Sequence, residues 1–241
     1  MSTTAKQVWQ LYRAAKEGQA TTIRSGYGLC GIYPYSKEQP HDFTRSESDA
    51  EHVYGCIMLA MNIMEMYPYL IKTDRRYDVL RCLAVHELGE NESGDIPDDG
   101  TRNEARKDAE EYEYVKNYLL PWSLADANQV LSLFREMQKK STKTGKFVYC
   151  VDKTEAILQN LIYEAEGRCG SFLAKSSKFQ LSERDQMEME ATGSVRPADN
   201  WAYDFRRRYG ENIWFFDVFF DIICEAAKDV RGEDFSWIDT P

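Results

Sequence analysis

Apolar residues recur along this chain at intervals of three and four, the spacing that places them on one face of an α-helix. Val53, Cys56, Ile57, Ala60, Ile63 and Met64 follow that period and predict a helix ending before Pro68. Ser48-Asp49-Ala50-Glu51 opens it as a capping box, with Ser48 as cap and Glu51 reaching back. Val79, Leu80, Leu83 and Val85 predict the next helix, capped by Asp74, carrying His86-Glu87 in its last turns and Gly89 near its end. Thr101-Arg102-Asn103-Glu104 is a second capping box, starting a charged helix that runs to about Leu120, where Pro121 stops it. Ser123 starts another that ends in Lys139-Lys140, and Gly145 precedes a long apolar helix over 146–166. Upstream, a helix is expected over 4–17, then an irregular stretch over 19–46 broken by Gly26, Gly28, Gly31, Pro34 and Pro40. Downstream, helices are expected near 182–191, 200–208 and 211–228, the last rich in aromatics. The fold class that follows is all-α, one domain with a C-terminal helical extension and no repeats.

Composition narrows the partners. With 241 residues and 43% apolar content the chain can bury a sizeable core. Its net charge of −10 disfavours nucleic acid and anionic membrane as broad partners, while leaving room for a small phosphate held locally by cations. No segment approaches the roughly 20 apolar residues of a spanning helix. The first residues, Met1-Ser2-Thr3-Thr4-Ala5-Lys6, lack the apolar core of a secretion signal, so a cytoplasmic protein is expected. Six cysteines form no CxxC pair; Cys56, Cys82, Cys150 and Cys224 sit in apolar runs and read as small buried hydrophobes with reduced thiols.

The chemistry concentrates at two of only three histidines. Glu51-His52 and His86-Glu87 are followed by Glu90, by Gly94-Asp95-Ile96-Pro97 and, farther on, by Val151-Asp152-Lys153. Imidazoles and carboxylates on separate helices suit a divalent ion that keeps positions open for water and substrate. Taken singly, His52 would be a capped surface histidine and His86 a core histidine; the surrounding acids weaken both readings. His86-Glu87-Leu88-Gly89-Glu90 begins like the HExxH zinc-protease signature, but Glu90 stands where the second imidazole is needed.

These segments, together with Arg45-Ser46-Glu47-Ser48-Asp49-Ala50-Glu51-His52 and Leu83-Ala84-Val85-His86-Glu87-Leu88-Gly89-Glu90, resemble the successive motifs of HD-domain metal phosphohydrolases, and among them the 5′-deoxynucleotidase branch. The resemblance implies an HD helical bundle over about 20–166 with an extension over 167–241. It implies one divalent ion (Mn, Co, Fe, Ni, Zn or Mg) held by His52, His86, Glu87 and Asp152. Glu90 would be the catalytic acid–base, Asp95 an acid beside the attacking water or the sugar, and Arg45 and Arg24 the substrate arginines. A small phosphorylated substrate, a nucleotide, and a homodimer are implied with them. The family's His-Asp pair is His86-Glu87 here, one methylene longer, so backbone or rotamer must compensate.

The leading expectation is a phosphomonoesterase acting on (deoxy)nucleoside 5′-monophosphates. The alternatives are a catalytically weak HD protein that binds a nucleotide or metal as sensor or partner, and a hydrolase of another nucleotide phosphate. Lys153 is expected to pair with a nearby carboxylate. Arg206-Arg207-Arg208 and Lys139-Lys140 are expected to be solvated helix ends. Trp214-Phe215-Phe216 and Val218-Phe219-Phe220 should pack over the core, line an oligomer interface, or both.

Overall fold

The computed structural model of the chain describes residues 47–90, 104–167, 183–233, 235 and 238. Among them every regular element is helical. The elements are α1 (Asp49–Met66), α2 (Thr73–Val85), a 3₁₀ turn (His86–Gly89), α3 (Glu104–Leu119), α4 (Leu124–Lys139), α5 (Lys143–Ala165), α6 (Glu183–Thr192), α7 (Pro197–Tyr209) and α8 (Phe216–Arg231). The helix expected over 4–17, the irregular stretch over 19–46, and Arg24, Arg45, Asp95 and Thr101 lie outside the described residues. The chain divides into two compact units, with the division between Val151 and Asp152 inside α5.

In the first unit α1 packs on α2 and the 3₁₀ turn, α2 on α4, and α3 on α4 and the turn. Cys56, Ala60, Val79, Cys82, Leu83, Val115, Leu133, Phe134 and Phe147 are wholly buried there, each large side chain contributing about 1.5–3 kcal/mol by leaving water. Burial pushes the Cys82 thiol far up, with the Glu136 charge adding to it, so Cys82 is an inert packing residue. The capping box of α1 forms as expected: the Glu51 carboxylate accepts from the Ser48 backbone N–H and from its hydroxyl, both at 2.8 Å. Ser123 caps α4, its hydroxyl accepting from the Asp126 N–H at 3.2 Å.

Three expectations change. Asp74 does not cap α2; Lys72 holds that position with extended backbone, and Asp74 sits in the first turn, where its charge complements the helix dipole. The α-helix stops at Val85, so His86-Glu87 lie in the tighter 3₁₀ turn instead of the last α turns. Gly145 lies inside α5, not ahead of it. A Cβ there would meet the Glu136 carbonyl oxygen at 2.4 Å, so glycine is needed for close approach to the end of α4. Gly89 is chosen on similar grounds, since a Cβ would fall 2.7 Å from Glu111 Cβ and 2.9 Å from its Cα on α3.

In the second unit α7 packs on α6 and α8. Phe215, Phe216, Phe219 and Phe220 are buried. Phe216 lies 4.7 Å from Phe205 and stacks on Phe220 at 5.8 Å between ring centroids. The aromatic segment is therefore core within its own unit, and only Trp214, 66% exposed, faces outward. Arg231 on α8 makes a two-pronged pair with Glu164 on α5, both contacts 2.6 Å, and a third bond to Asp199 on α7. The arginine run at the end of α7 is not simply solvated. Arg207 and Arg208 pair with buried Asp204, joined by Arg184, while Arg206 lies over the Phe220 ring. Lys140 likewise folds over the Tyr149 ring in the first unit. Cys224 is half-buried, whereas Cys56, Cys82 and Cys150 are buried as expected.

Candidate metal centre

His52 stands in the first turn of α1 and is completely buried. His86 and Glu87 open the 3₁₀ turn and are also buried. The two imidazoles are tilted across from each other, 5.4 Å between centroids. Glu87 Oε1 stands between them, 3.2 Å from His52 Nε2 and 3.3 Å from His86 Nε2. Consecutive residues in a 3₁₀ turn rotate by about 120° instead of the 100° of an α-helix. Within that turn the longer glutamate side chain faces both imidazoles.

His86 Nδ1 is 2.7 Å from the Leu83 carbonyl, which can only accept, so Nδ1 carries a proton and donates it. Nε2 is thereby committed to the interior; it is buried and makes no hydrogen bond. A neutral imidazole nitrogen opposite a carboxylate oxygen at 3.3 Å sets lone pair against lone pair unless something positive lies between them. Donor separations of roughly 3.0–3.4 Å are the edges of an octahedral or tetrahedral shell with metal–ligand bonds of about 2.1 Å. The two nitrogen–oxygen distances of 3.2 and 3.3 Å fit such edges. In the metal-free protein a proton takes the cation's part. Burial works against a charged His86, but the neighbouring Glu87 carboxylate and Cys56 sulfur push it up to about 10.

Acid density argues in the same direction. Donor oxygens of buried Asp49, Glu87 and Glu90 lie within 4.8 Å of one another. Lys107 on α3 stands 3.5 Å from Glu90 and 3.5 Å from Glu111. Burial raises the Glu111 carboxyl, Lys107 opposes this and Glu87 reinforces it. Buried carboxylates gathered so closely favour positive charge beside them, which a divalent cation supplies. These residues can therefore hold a divalent cation. Asp152 is buried, follows Val151 on the unbroken α5, and pairs with Lys153 at 2.9 Å, as expected for that lysine. Lys107, Asp49 and Cys56 also lie in this cluster, and sequence reasoning does not single them out. Lys107–Glu111 has readable helical spacing, but only tertiary packing brings Lys107 to Glu90.

Comparison with known proteins places these residues in context. The family described as HD domain matches residues 38–192. A 5′-deoxynucleotidase of Schizosaccharomyces pombe is 32% identical over 131 residues, covering 52% of this chain and 62% of that protein. A 5′-deoxynucleotidase of Saccharomyces cerevisiae is 26% identical over 131 residues, 52% of this chain and 57% of that protein. A 5′-deoxynucleotidase of Homo sapiens is 32% identical over 166 residues, 64% of this chain and 76% of that protein. The chain thus spans 62% and 57% of the two yeast relatives, short of two thirds of either. Among solved structures, a conserved hypothetical protein from Pyrococcus furiosus superposes with a TM-score of 0.59 at 20% identity, over 91% of this chain and 98% of that chain. That likeness speaks to fold alone.

Proposed function

The chain belongs to the HD-domain family, and from that premise we propose that it is a metal-dependent phosphohydrolase, a phosphomonoesterase of (deoxy)nucleoside 5′-monophosphates. The observation that carries this is the buried donor set of His52, His86 and Glu87, with His86 Nε2 making no hydrogen bond. The names of the relatives support the substrate class.

In this reading His52, His86, Glu87 and Asp152 hold one divalent ion drawn from Mn, Co, Fe, Ni, Zn or Mg. When bound, the ion supplies a Lewis acid for a phosphoryl oxygen and lowers the pKa of a water. Glu90 takes a proton from the attacking water and returns one to the leaving alkoxide, its carboxylate held by Lys107 at 3.5 Å. Asp95 orients water or sugar, and Arg45 and Arg24 offset phosphate charge. A Glu87 unable to reach the imidazoles would favour the binding-only alternative; its 3.2 and 3.3 Å approaches favour the enzyme.

The family match through residue 192 crosses the division within α5 and supports one HD-type domain, core 20–166 and extension 167–241. A cytoplasmic homodimer without nucleic-acid or membrane partners completes the proposal, supported by the net charge of −10. No helix among the described residues is long and apolar enough to cross a membrane. An outward stripe on α1, formed by Tyr54, Met58 and Met61 at 67, 40 and 48% exposure, supports self-association better than the buried phenylalanines do.

The test is phosphate release from ribo- and deoxynucleoside monophosphates with Mn²⁺, Co²⁺, Mg²⁺ or Zn²⁺ supplied separately. Metal-dependent release that falls by roughly 10²–10⁴ in Glu90→Ala supports the reading. Release untouched by chelation, or by Glu90→Ala, overturns it.

A further inference from the structure

Cys56 lies one helical turn beyond His52 on α1, wholly buried. Its Sγ is 3.5 Å from His52 Nε2 and 3.9 Å from Nδ1. Donor atoms of His52, Cys56 and His86 all lie within 4.8 Å of one another. His86 Nε2, buried and making no hydrogen bond, is turned into the same space, with Glu87 Oε1 at 3.3 Å. A sulfur bonded at about 2.3 Å and a nitrogen at about 2.0–2.1 Å, both to one tetrahedral ion, stand roughly 3.6 Å apart. The observed 3.5 Å separation matches that edge. Cys82 is buried as fully, yet it belongs to no such cluster among the described residues. A thiol used only as filler has no need of two imidazoles around it.

We propose that Cys56 is a specificity-determining metal ligand, its thiolate joining the His52 and His86 imidazoles on the ion and favouring zinc or cobalt over magnesium or manganese. The proposal rests on the metal-centre reading above and adds a soft donor to it. Thiolate selects borderline ions over hard ones, which prefer oxygen. Coordination releases the thiol proton to solvent and requires no oxidant.

Cobalt loading of the metal-free protein tests it. With Co²⁺ bound, the wild type should show a near-ultraviolet thiolate-to-cobalt charge-transfer band that Cys56→Ala lacks. Zinc affinity in that variant should fall by roughly tenfold or more, while manganese affinity stays within about twofold. Cys56→Ser, close to the native volume, provides the same comparison should the alanine variant fold poorly. Cobalt bound to the wild type without the band, or a band that persists in both variants, overturns the thiolate and leaves the metal centre standing. A wild type that binds no cobalt or zinc overturns both.

Discussion

His86 is anchored through Nδ1 and faces Glu87 through Nε2, and the two nitrogens have opposite requirements. Nδ1 donates to the Leu83 carbonyl whatever happens, whereas Nε2 stands 3.3 Å from Glu87 Oε1. In metal-free protein the folded-state value of about 10 lies above the ordinary 6.5, so the charged imidazolium favours folding. That stabilisation is fully present below about pH 6.5 and is lost as pH rises through about 10. Urea unfolding of chelator-treated protein should show the gap between wild type and His86→Gln narrowing across that window. A gap independent of pH would refute the protonated state. Glu87→Asp withdraws the carboxylate from two imidazoles at once. Metal affinity, read by competition with a chromophoric chelator, should fall by roughly tenfold or more, and unchanged affinity would mean that Glu87 is not a ligand. Much of this site was legible in the sequence because His52, His86, Glu87 and Glu90 carry a family resemblance in their order. Cys56 is buried as its apolar run implies, and its approach to His86 is not legible because His86 lies on another element.

Elements were legible wherever a local signal set their ends. Ser48 and Ser123 marked the starts of α1 and α4, and Pro121 the end of α3, because caps and prolines act within one turn. Ser123→Ala should cost about 1 kcal/mol, measured by urea unfolding, and a loss near zero would deny the cap its role. What the sequence did not disclose was contact-driven. The change from α2 to a 3₁₀ turn has no local residue signature, and Gly145 looked like a boundary although it lies inside α5. In an open helix Gly→Ala is stabilising by up to about 1 kcal/mol. At Gly145 the sign should reverse, with a loss of about 1–3 kcal/mol from overpacking, because the nearest atoms are Glu136 backbone. Thermal unfolding of Gly145→Ala decides between the two, and a higher Tm would refute the close approach.

At the scale of the whole chain, Arg231 does in the second unit what packing does in the first. Its side chain is only 10% exposed, and it joins three helices through Glu164 and Asp199. Arg231→Met would leave two buried carboxylates uncompensated, at a cost of about 3–5 kcal/mol. Adding Glu164→Leu and Asp199→Asn should restore most of it in denaturant unfolding, and failure to recover would assign the loss to packing. Helix α8 was legible from its aromatic run, but this ion cluster joins residues 67 and 32 positions apart and left no pattern in the sequence. Gly89 has a consequence for how such chains diverge. It sets the distance between the 3₁₀ turn and α3, where Lys107 stands one turn before Glu111. A descendant that acquired any side chain at 89 would have to displace α3 bodily, and the lysine with it. The cost would appear first in the pairing of Lys107 with Glu90, so drift at one small residue can unseat its neighbour's partner without changing either charged residue.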